Sequence, residues 1–263
     1  MRFAVVSVKK IYILAAAVVV AALLVVTLSE TGAYAVFYGN GFKRLPIYSV
    51  QTDEKKIAIS FDCAWGTDYT EKLLSVMKKE DVKCTFFSVQ FWTEKYPDLI
   101  KKISDEGHEI GTHSATHPHM AGLTESAIKK ELETSSVAIE NVTGKKIELF
   151  RPPFGEYNDR VIECAESLGL KTIQWSVDSL DWKDLSADEI EKRVVGKVDN
   201  GAIVLFHNQG LHTAEALPNI IRKLKSDGYE FVPIGELIYK EGYRIAPNGA
   251  QIKTVRNSLE ENL

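Results

Sequence analysis

The 263-residue sequence has few cysteines, and they do not suggest a disulfide framework. The sequence has three cysteines, an odd number, and none of them belongs to a CxxC pair: they are Cys63, Cys84 and Cys164. At least one thiol is therefore free or bound to something other than a second cysteine. The sequence also lacks a glycine-rich phosphate loop after its first predicted strand, which argues against a nucleotide-binding fold.

Positive charge is also scarce once the N-terminal segment is set aside. Without Arg2, Lys9 and Lys10, the chain has 29 basic residues against 36 acidic ones, a net charge of about −7. An acidic surface repels polyanions, so we expect no nucleic-acid partner.

One long apolar run, Ile11 to Leu28, stands at the N-terminus and contains no charged residue over 18 positions. Basic residues precede it and no acidic residue occurs before Glu30, so the positive-inside rule places the start in the cytoplasm and the rest outside. We predict an uncleaved, single-pass transmembrane helix within residues 1–30. Because Ala33-Tyr34-Ala35 has the form of a signal-peptidase site, a secreted protein cleaved after Ala35 is the alternative.

From Lys56 onward, short β-branched or aromatic runs alternate with amphipathic segments, as in repeated βα units. Seven units in one domain favour an irregular (β/α) barrel of about seven parallel strands over an open doubly wound sheet. We predict a stalk over 31–55, the domain over 56–240, and a polar tail over 241–263 that is loosely held from Pro247. The predicted strands are Ile57 to Phe61, Cys84 to Ser88, Glu109 to Gly111, Ile147 to Phe150, Leu170 to Trp175, Ala202 to Phe206 and Tyr229 to Val232.

Two histidines four residues apart, His113 and His117, are candidate metal ligands. Both imidazoles can turn toward one ion from a helical turn or a tight loop, and the small residues between them leave the approach open. On its own, such a pair is more often two ordinary loop histidines. Here the pair follows a predicted turn and short strand, the position at which alternating βα folds concentrate catalytic groups.

Reactive residues follow five of the predicted strands at their carboxyl ends. These ends form one rim in a barrel, so the residues should converge on one pocket. Each residue alone could instead be a helix cap, a member of a surface ion pair, a turn residue or a core histidine. Reactive residues at the ends of five different strands favour a shared functional site. The clusters are Asp62 and Cys63, then His113 and His117, then Arg151 and Phe154, then Asp178 and Trp182, and finally Leu205 and His207.

These clusters resemble the five motifs of NodB-type polysaccharide deacetylases, carbohydrate esterase family 4, in order from roughly Lys56 to Tyr239. The sequence is most similar to the membrane-anchored sporulation deacetylases of the PdaB type, which also have a tryptophan and a glycine after the first-strand aspartate. The resemblance implies a distorted (β/α) barrel. It also implies a metal-dependent hydrolase that removes N-acetyl groups from a cell-wall polysaccharide such as peptidoglycan, leaving a free amine and acetate.

The resemblance also assigns roles to individual residues. Asp62 matches the general base and Arg151 the residue that orients it, while His207 matches the catalytic acid and Asp178 the partner of that acid. The positions that match metal ligands or substrate contacts are His113 and His117 for the metal, Phe154 for an oxyanion-binding backbone N–H, and Trp182, Leu205 and Trp65 for the substrate.

The chemistry calls for these residue types independently. An amide carbon is a poor electrophile, so a metal ion should polarise its carbonyl while a carboxylate removes a proton from water. Asp62 can accept that proton only when ionised, which a neighbouring Arg151 cation favours. The amine leaves only when protonated, and His207 held by Asp178 can supply the proton.

Cys63 departs from the family pattern, because a second aspartate usually stands there and completes a His-His-Asp metal site. A thiolate binds Zn²⁺ at about 2.3 Å, so a Cys-His-His site would favour zinc. The alternative is that Cys63 is a small buried apolar residue and the metal site is degraded. Three functions therefore remain: a cell-wall N-deacetylase, a wall-glycan-binding protein with little or no turnover, and an O-acetyl esterase on the same scaffold.

Overall fold

The computed structural model describes residues 43–254. Eight parallel strands form one sheet that curls into a half-barrel, in the order β6-β5-β4-β3-β2-β8-β7, with β9 paired to the start of β2. A separate three-stranded sheet has the order β1-β11-β10. The strands are β1 (Ser49–Val50), β2 (Lys56–Cys63), β3 (Thr85–Ser88), β4 (Glu109–Thr112), β5 (Leu149–Phe150), β6 (Lys171–Thr172), β7 (Val177–Asp178), β8 (Ile203–His207), β9 (Glu230–Phe231), β10 (Tyr243–Ile245) and β11 (Ala250–Lys253).

Helices connect the strands, and their ends follow from local sequence. The helix after β4 begins at the cap Thr124, whose hydroxyl accepts from the Ala127 N–H, and ends at Gly144 with φ +67°. Ser186 and Glu189 form a complete capping box two helices later. The helices are α1 (Thr70–Lys79), α2 (Gln90–Lys95), α3 (Pro97–Asp105), α4 (Glu125–Thr143), α5 (Asp159–Ser167), α6 (Ala187–Val195), α7 (Thr213–Ser226) and α8 (Ile234–Leu237).

Strand β2 separates two apolar cores, because successive side chains of a strand point to opposite faces. Ile57, Ile59, Phe61 and Cys63 belong to the larger core, which contains the apolar faces of the long helices. Ala58 belongs to a smaller core on the other face, which includes residues of α8. We call these the helix-side core and the inner core.

The predicted parallel βα architecture is confirmed, with differences at individual strands. Each of the seven predicted segments contains a strand, although β5, β6 and β9 have only two residues each. The prediction missed the three strands of the second sheet and also β7, which is two residues long and pairs with β8. A two-residue strand is too short to show an alternating pattern, so it gives no periodic signal in the sequence.

The polar C-terminal tail is only partly as predicted. Within the segment expected to be loosely held from Pro247, Ala250–Lys253 forms β11, which pairs in parallel with β1 and antiparallel with β10. Gln251 is fully buried there, because its side-chain amide exchanges hydrogen bonds of 2.7 and 2.8 Å with the N–H and carbonyl of Tyr239. A polar residue can thus be buried when its hydrogen bonds are satisfied.

The predicted membrane segment, Ile11 to Leu28, lies outside the described residues. Between residues 43 and 254, no helix has both the length and the apolar character needed to cross a bilayer.

Candidate active site

Asp62 and Arg151 form a buried ion pair at the carboxyl end of the sheet. Arg151 Nη1 donates to Asp62 Oδ1 at 2.9 Å, and Arg151 Nη2 donates to the carbonyl of Gln174 at 3.2 Å. Arg151 is fully buried, with its guanidinium 4.2 Å from the centre of the Phe87 ring. Burial alone would raise the pKa of Asp62, but the charge and hydrogen bond of Arg151, together with the charge of His207, lower it below its ordinary value. Asp62 is therefore ionised near neutral pH.

His207 contacts a different carboxylate from the one predicted. Its Nδ1 lies 2.8 Å from Asp181 Oδ1, and its backbone N–H donates to Asp181 Oδ2 at 2.8 Å. Asp178, the predicted partner, instead accepts from the backbone N–H of Leu180 in a local turn. The prediction of Asp178 as the partner is therefore wrong. Leu180 has φ +56°, a left-handed conformation that turns the chain sharply before Asp181.

Asp181 keeps His207 in the protonation state that an acid needs. Burial alone would lower the pKa of His207, but the hydrogen bond and charge of Asp181, together with the charges of Asp62 and Asp178, raise it above its ordinary value. A bond from Nδ1–H to Asp181 leaves Nε2 to carry the second proton. The hydroxyl of Thr213 also donates to Asp181 Oδ2 at 2.7 Å, which fixes the carboxylate.

The strand register brings the base and the acid together. Asp62 at the end of β2 is paired with His207 at the end of β8, so their Cα atoms are partners across adjacent parallel strands. Both side chains line one cavity of about 650 Å³. The predicted convergence of strand ends on one pocket thus holds for these two residues.

His113 and His117 lie on a tight loop rather than on a helix. Ser114 and His117 have φ +72° and +57°, and the Ser114 hydroxyl accepts from the His117 N–H at 3.1 Å. Glu131 of α4 holds the same loop, because its carboxylate accepts from two backbone N–H groups and one hydroxyl between the histidines, at 2.8 to 2.9 Å. Hydrogen bonds to a charged acceptor are stronger than those between neutral groups, so this carboxylate fixes the loop.

The two imidazoles are suited to bind a cation. His113 Nδ1 lies 2.7 Å from the carbonyl of Arg151 and must carry a proton to donate to it, so Nε2 keeps its lone pair. The rings of His113 and His117 meet edge to face with centroids 4.9 Å apart. Burial is the main reason that the pKa of His113 falls below its ordinary value and that the pKa of His117 falls to about 4, so both rings are neutral at pH 7.

Cys63 does not join these histidines. Its side chain is fully buried in the helix-side core, and its Sγ lies 3.9 Å from the carbonyl of Phe61. Burial raises the pKa of the thiol well above its ordinary value, so the sulfur is protonated. The predicted Cys-His-His ligand set therefore does not fit this structure. Among residues 43–254, no three His, Cys, Asp or Glu side chains form a ready metal site.

Exposed aromatic side chains surround the cavity. Trp65, Phe154 and Trp182 are each more than half exposed, and all three line the cavity together with Leu205. The rings of Trp65 and Phe154 contact the His117 ring, with centroids 4.9 and 4.5 Å away. Apolar rings beside a few convergent polar groups are typical of small-ligand sites.

The sequence analysis missed Asp181, Glu131 and Asn208. Asn208 is buried, and its side-chain amide donates to the carbonyls of Trp65 and Gly66 at 3.3 and 3.0 Å. It thereby ties the loop after β2 to the loop after His207. Asn208 directly follows His207, a predicted catalytic residue. This adjacency is the sequence signal that could have pointed to Asn208 as a site residue.

Comparison with known proteins agrees with this geometry. Residues 49–173 match the family described as polysaccharide deacetylase. The chain is 36% identical over 203 residues to the peptidoglycan-N-acetylmuramic acid deacetylase PdaA of Bacillus subtilis, covering 75% of this chain and 77% of PdaA. It is 37% identical over 193 residues to the uncharacterized protein YlxY of Bacillus subtilis, covering 73% of this chain but only 60% of YlxY.

A solved structure is also similar in both fold and sequence. The wild-type protein BA3943 of Bacillus anthracis, described as a CE4 family pseudoenzyme, superposes with a TM-score of 0.72 at 38% identity. The match covers 74% of this chain and 69% of BA3943.

The structure is an α/β half-barrel that places a paired carboxylate and histidine in one cavity at its carboxyl rim. The chain belongs to the polysaccharide deacetylase family, carbohydrate esterase family 4, a family of hydrolases of N-acetyl groups in which BA3943 is described as a pseudoenzyme. The narrower resemblance to sporulation deacetylases of the PdaB type stays a prediction.

Proposed function

We propose that the chain hydrolyses N-acetyl groups of cell-wall glycan and releases acetate. The observation that carries the proposal is the register pair of Asp62 and His207, each held in its working protonation state by a buried partner. A base that is ionised and an acid that is protonated at the same pH are what amide hydrolysis requires.

In the proposed reaction, the oxygen of a water molecule attacks the carbonyl carbon of the acetamide while Asp62 accepts the proton of that water. The bond between carbon and nitrogen then breaks, and the nitrogen takes a proton from His207. The products are acetate and a free amine on the sugar. Because the expected Cys-His-His set does not fit the structure, no step of this scheme passes through a metal, and metal dependence stays a prediction.

Peptidoglycan-type glycan is the proposed substrate class. The relative PdaA is named as a peptidoglycan-N-acetylmuramic acid deacetylase, and the exposed rings of Trp65, Phe154 and Trp182 offer apolar surfaces for sugar faces. The test is acetate release from purified peptidoglycan and from chitooligosaccharides, with an O-acetylated sugar in parallel. Preferential release from the O-acetyl ester would favour the esterase instead.

Variants assign the chemistry to the proposed residues. Asp62→Asn and His207→Ala should each lower kcat by roughly 10² or more. His212→Ala is the matched control, because His212 lies on the surface beside Glu215, away from the cavity. Near-full activity of either site variant would place the chemistry elsewhere.

A second candidate function is glycan binding with little or no turnover. It is favoured by the position of Cys63 in the helix-side core, which leaves two imidazoles without the third predicted ligand. The similar protein BA3943 is described as a pseudoenzyme. Saturable binding of chitooligosaccharides without acetate release from any tested glycan would support this candidate over the deacetylase.

The proposed site of action is outside the cell, with Ile11 to Leu28 as an uncleaved membrane anchor. The support is the apolar run with its basic flank in the sequence. Protease added to intact protoplasts should digest residues 56–240. Protection of the domain under these conditions would contradict the orientation, and loss of the domain into the medium would favour cleavage after Ala35.

A further inference from the structure

Two consecutive left-handed residues bring Phe154 to the cavity. Phe154 and Gly155 have φ +58° and +69°, a conformation that is costly for a residue with a side chain. The N–H groups of Gly155 and Glu156 donate to the carbonyls of Pro152 and Pro153, both at 3.1 Å. Within residues 43–254, the N–H of Phe154 donates to no protein acceptor. We call residues 153–155 the Phe154 turn, and a strained turn persists only where the surrounding structure holds it.

Gln174 holds the Phe154 turn from inside the protein. Its side-chain Nε2 donates to the carbonyl of Gly155 at 2.9 Å, and only 2% of Gln174 is exposed. The turn is also packed closely there, because a Cβ added at Gly155 would meet the Trp175 ring at 3.0 Å. Since a carbonyl that loses its donor away from water is costly, the amide of Gln174 fixes the position of Gly155.

The same residue also holds the arginine that pairs with the base. The backbone carbonyl of Gln174 accepts from Arg151 Nη2 at 3.2 Å, while Arg151 Nη1 donates to Asp62. The backbone N–H of Gln174 donates in turn to the carbonyl of Ile47 at 2.7 Å, which fixes Gln174 itself. Gln174 therefore contacts two parts of the site, the Phe154 turn through its side chain and the ion pair of the base through its main chain.

We propose that Gln174 is a positioning residue that sets the place of the Phe154 turn relative to Asp62. Gln174 does not line the cavity, so it acts only through the groups that it holds. Phe154 does line the cavity, and its N–H without a protein acceptor is a donor for the oxygen on which negative charge develops during attack. The effect on rate rests on the proposed function, whereas the effect on the position of the turn does not.

The first test is Gln174→Met, measured on the full chain in detergent. Methionine is a long, flexible apolar side chain that can stay buried, so the variant removes the donor to Gly155 and keeps the backbone bonds to Arg151 and Ile47. We expect kcat of acetate release to fall by about 10- to 100-fold, because a misplacement of about 1 Å can cost about 10² in rate. KM and the acid limb of the pH profile should change little, because Arg151 keeps its bond to Asp62.

Gln251→Met is the matched control. Gln251 is also a buried glutamine whose side-chain amide holds a main chain, that of Tyr239, and it does not line the cavity. The variant loses buried hydrogen bonds without contact to the site, so it should keep the wild-type kcat.

The second readout needs no turnover, because two imidazoles contact the Phe154 ring. The ring centroids of His117 and His119 each lie 4.5 Å from that of Phe154, with His117 edge to face and His119 stacked. The ring of Phe154 therefore shifts the NMR signals of both histidines, and the chain has six histidines to resolve. At one fixed alkaline pH, Gln174→Met should move both signals and Gln251→Met should move neither.

Three results would overturn the proposal. They are signals of His117 and His119 in Gln174→Met that match the wild type, a loss of kcat in Gln251→Met as large as that in Gln174→Met, and rapid solvent exchange of the Gln174 side-chain amide in the wild type. The exchange measurement needs no variant, so it tests the contact even where Gln174→Met does not fold. A wild type that never releases acetate, together with histidine signals that move as expected, would contradict the proposed function and not the positioning role.

Discussion

Replacing Asp181 with asparagine should impair the acid His207 while leaving the base Asp62 unchanged. Asp181 Oδ2 accepts from both the His207 N–H and the Thr213 hydroxyl, so the amide oxygen of the introduced asparagine is expected to take the place of Oδ2. The amide NH₂ would then face His207 Nδ1, which must become an acceptor. The imidazole would therefore be held in its neutral form, with its proton on Nε2.

The size of the effect follows from the lost interaction between the carboxylate and the imidazolium. A hydrogen bond to a charged group contributes about 1.5–3 kcal/mol, which corresponds to about 10- to 150-fold in rate. Asp181→Asn should lower kcat by that factor near neutral pH and should lower the pKa of His207. KM should change little, because Asp181 is fully buried and does not line the cavity.

Asp178→Asn is the matched comparison, because it removes one carboxylate three residues away. Asp178 accepts from the Leu180 N–H, a bond that asparagine can keep, and acts on His207 only through its charge. We expect less than about threefold loss of kcat, because Asp178 acts on His207 through its charge and without a hydrogen bond. The assays are steady-state acetate release and NMR titration of the His207 ring. A larger loss in Asp178→Asn than in Asp181→Asn would refute the assignment of Asp181 as the partner.

Two further predictions concern pH and the loop after β2. On the acid side, activity should fall only below about pH 4, because the lowered pKa of Asp62 keeps this carboxylate ionised above that pH. On the alkaline side, activity should fall only above about pH 6.5, because the raised pKa of His207 keeps the imidazole protonated up to that pH. The rate of acetate release should be measured across pH 3 to 10, and a fall between these two limits would contradict the lowered pKa of Asp62 or the raised pKa of His207. Asn208→Ala should lower the free energy of unfolding by about 0.5–1.5 kcal/mol, because the side-chain amide no longer donates to the carbonyls of Trp65 and Gly66, while the indole N–H of Trp92 still donates to Gly66 at 2.7 Å. An unchanged urea midpoint would argue against this role.

The positions of the site residues could be predicted because parallel strands place their carboxyl ends along one edge. Asp62 and His207 follow apolar runs long enough to be recognised as strands, and both lie in the cavity. Arg151 follows a two-residue strand, yet its contact with Asp62 also agrees with the prediction. The resemblance to the family supplied the roles, which the pattern of strands alone does not give.

The sequence could not distinguish Asp178 from Asp181, because both follow the same predicted strand. The choice depends on the left-handed conformation of Leu180, which neither its residue type nor its neighbours indicate. Cys63 is different, since period-two alternation already placed it on the face opposite Asp62. The family pattern of adjacent ligands outweighed that signal in the sequence analysis, and the structure follows the alternation.

The order of strands in the sheet has a consequence for how the site is assembled during folding. β2 pairs with β3, which follows it closely, but its other neighbour β8 comes about 145 residues later in the chain. Contacts between distant segments form slowly, because the loop between them must close first. Until β8 arrives, β2 presents an unpaired edge, and such an edge can pair with another chain. The same pairing that ends this exposure also brings His207 beside Asp62, so the protein gains its catalytic pair and covers the edge of β2 in one step.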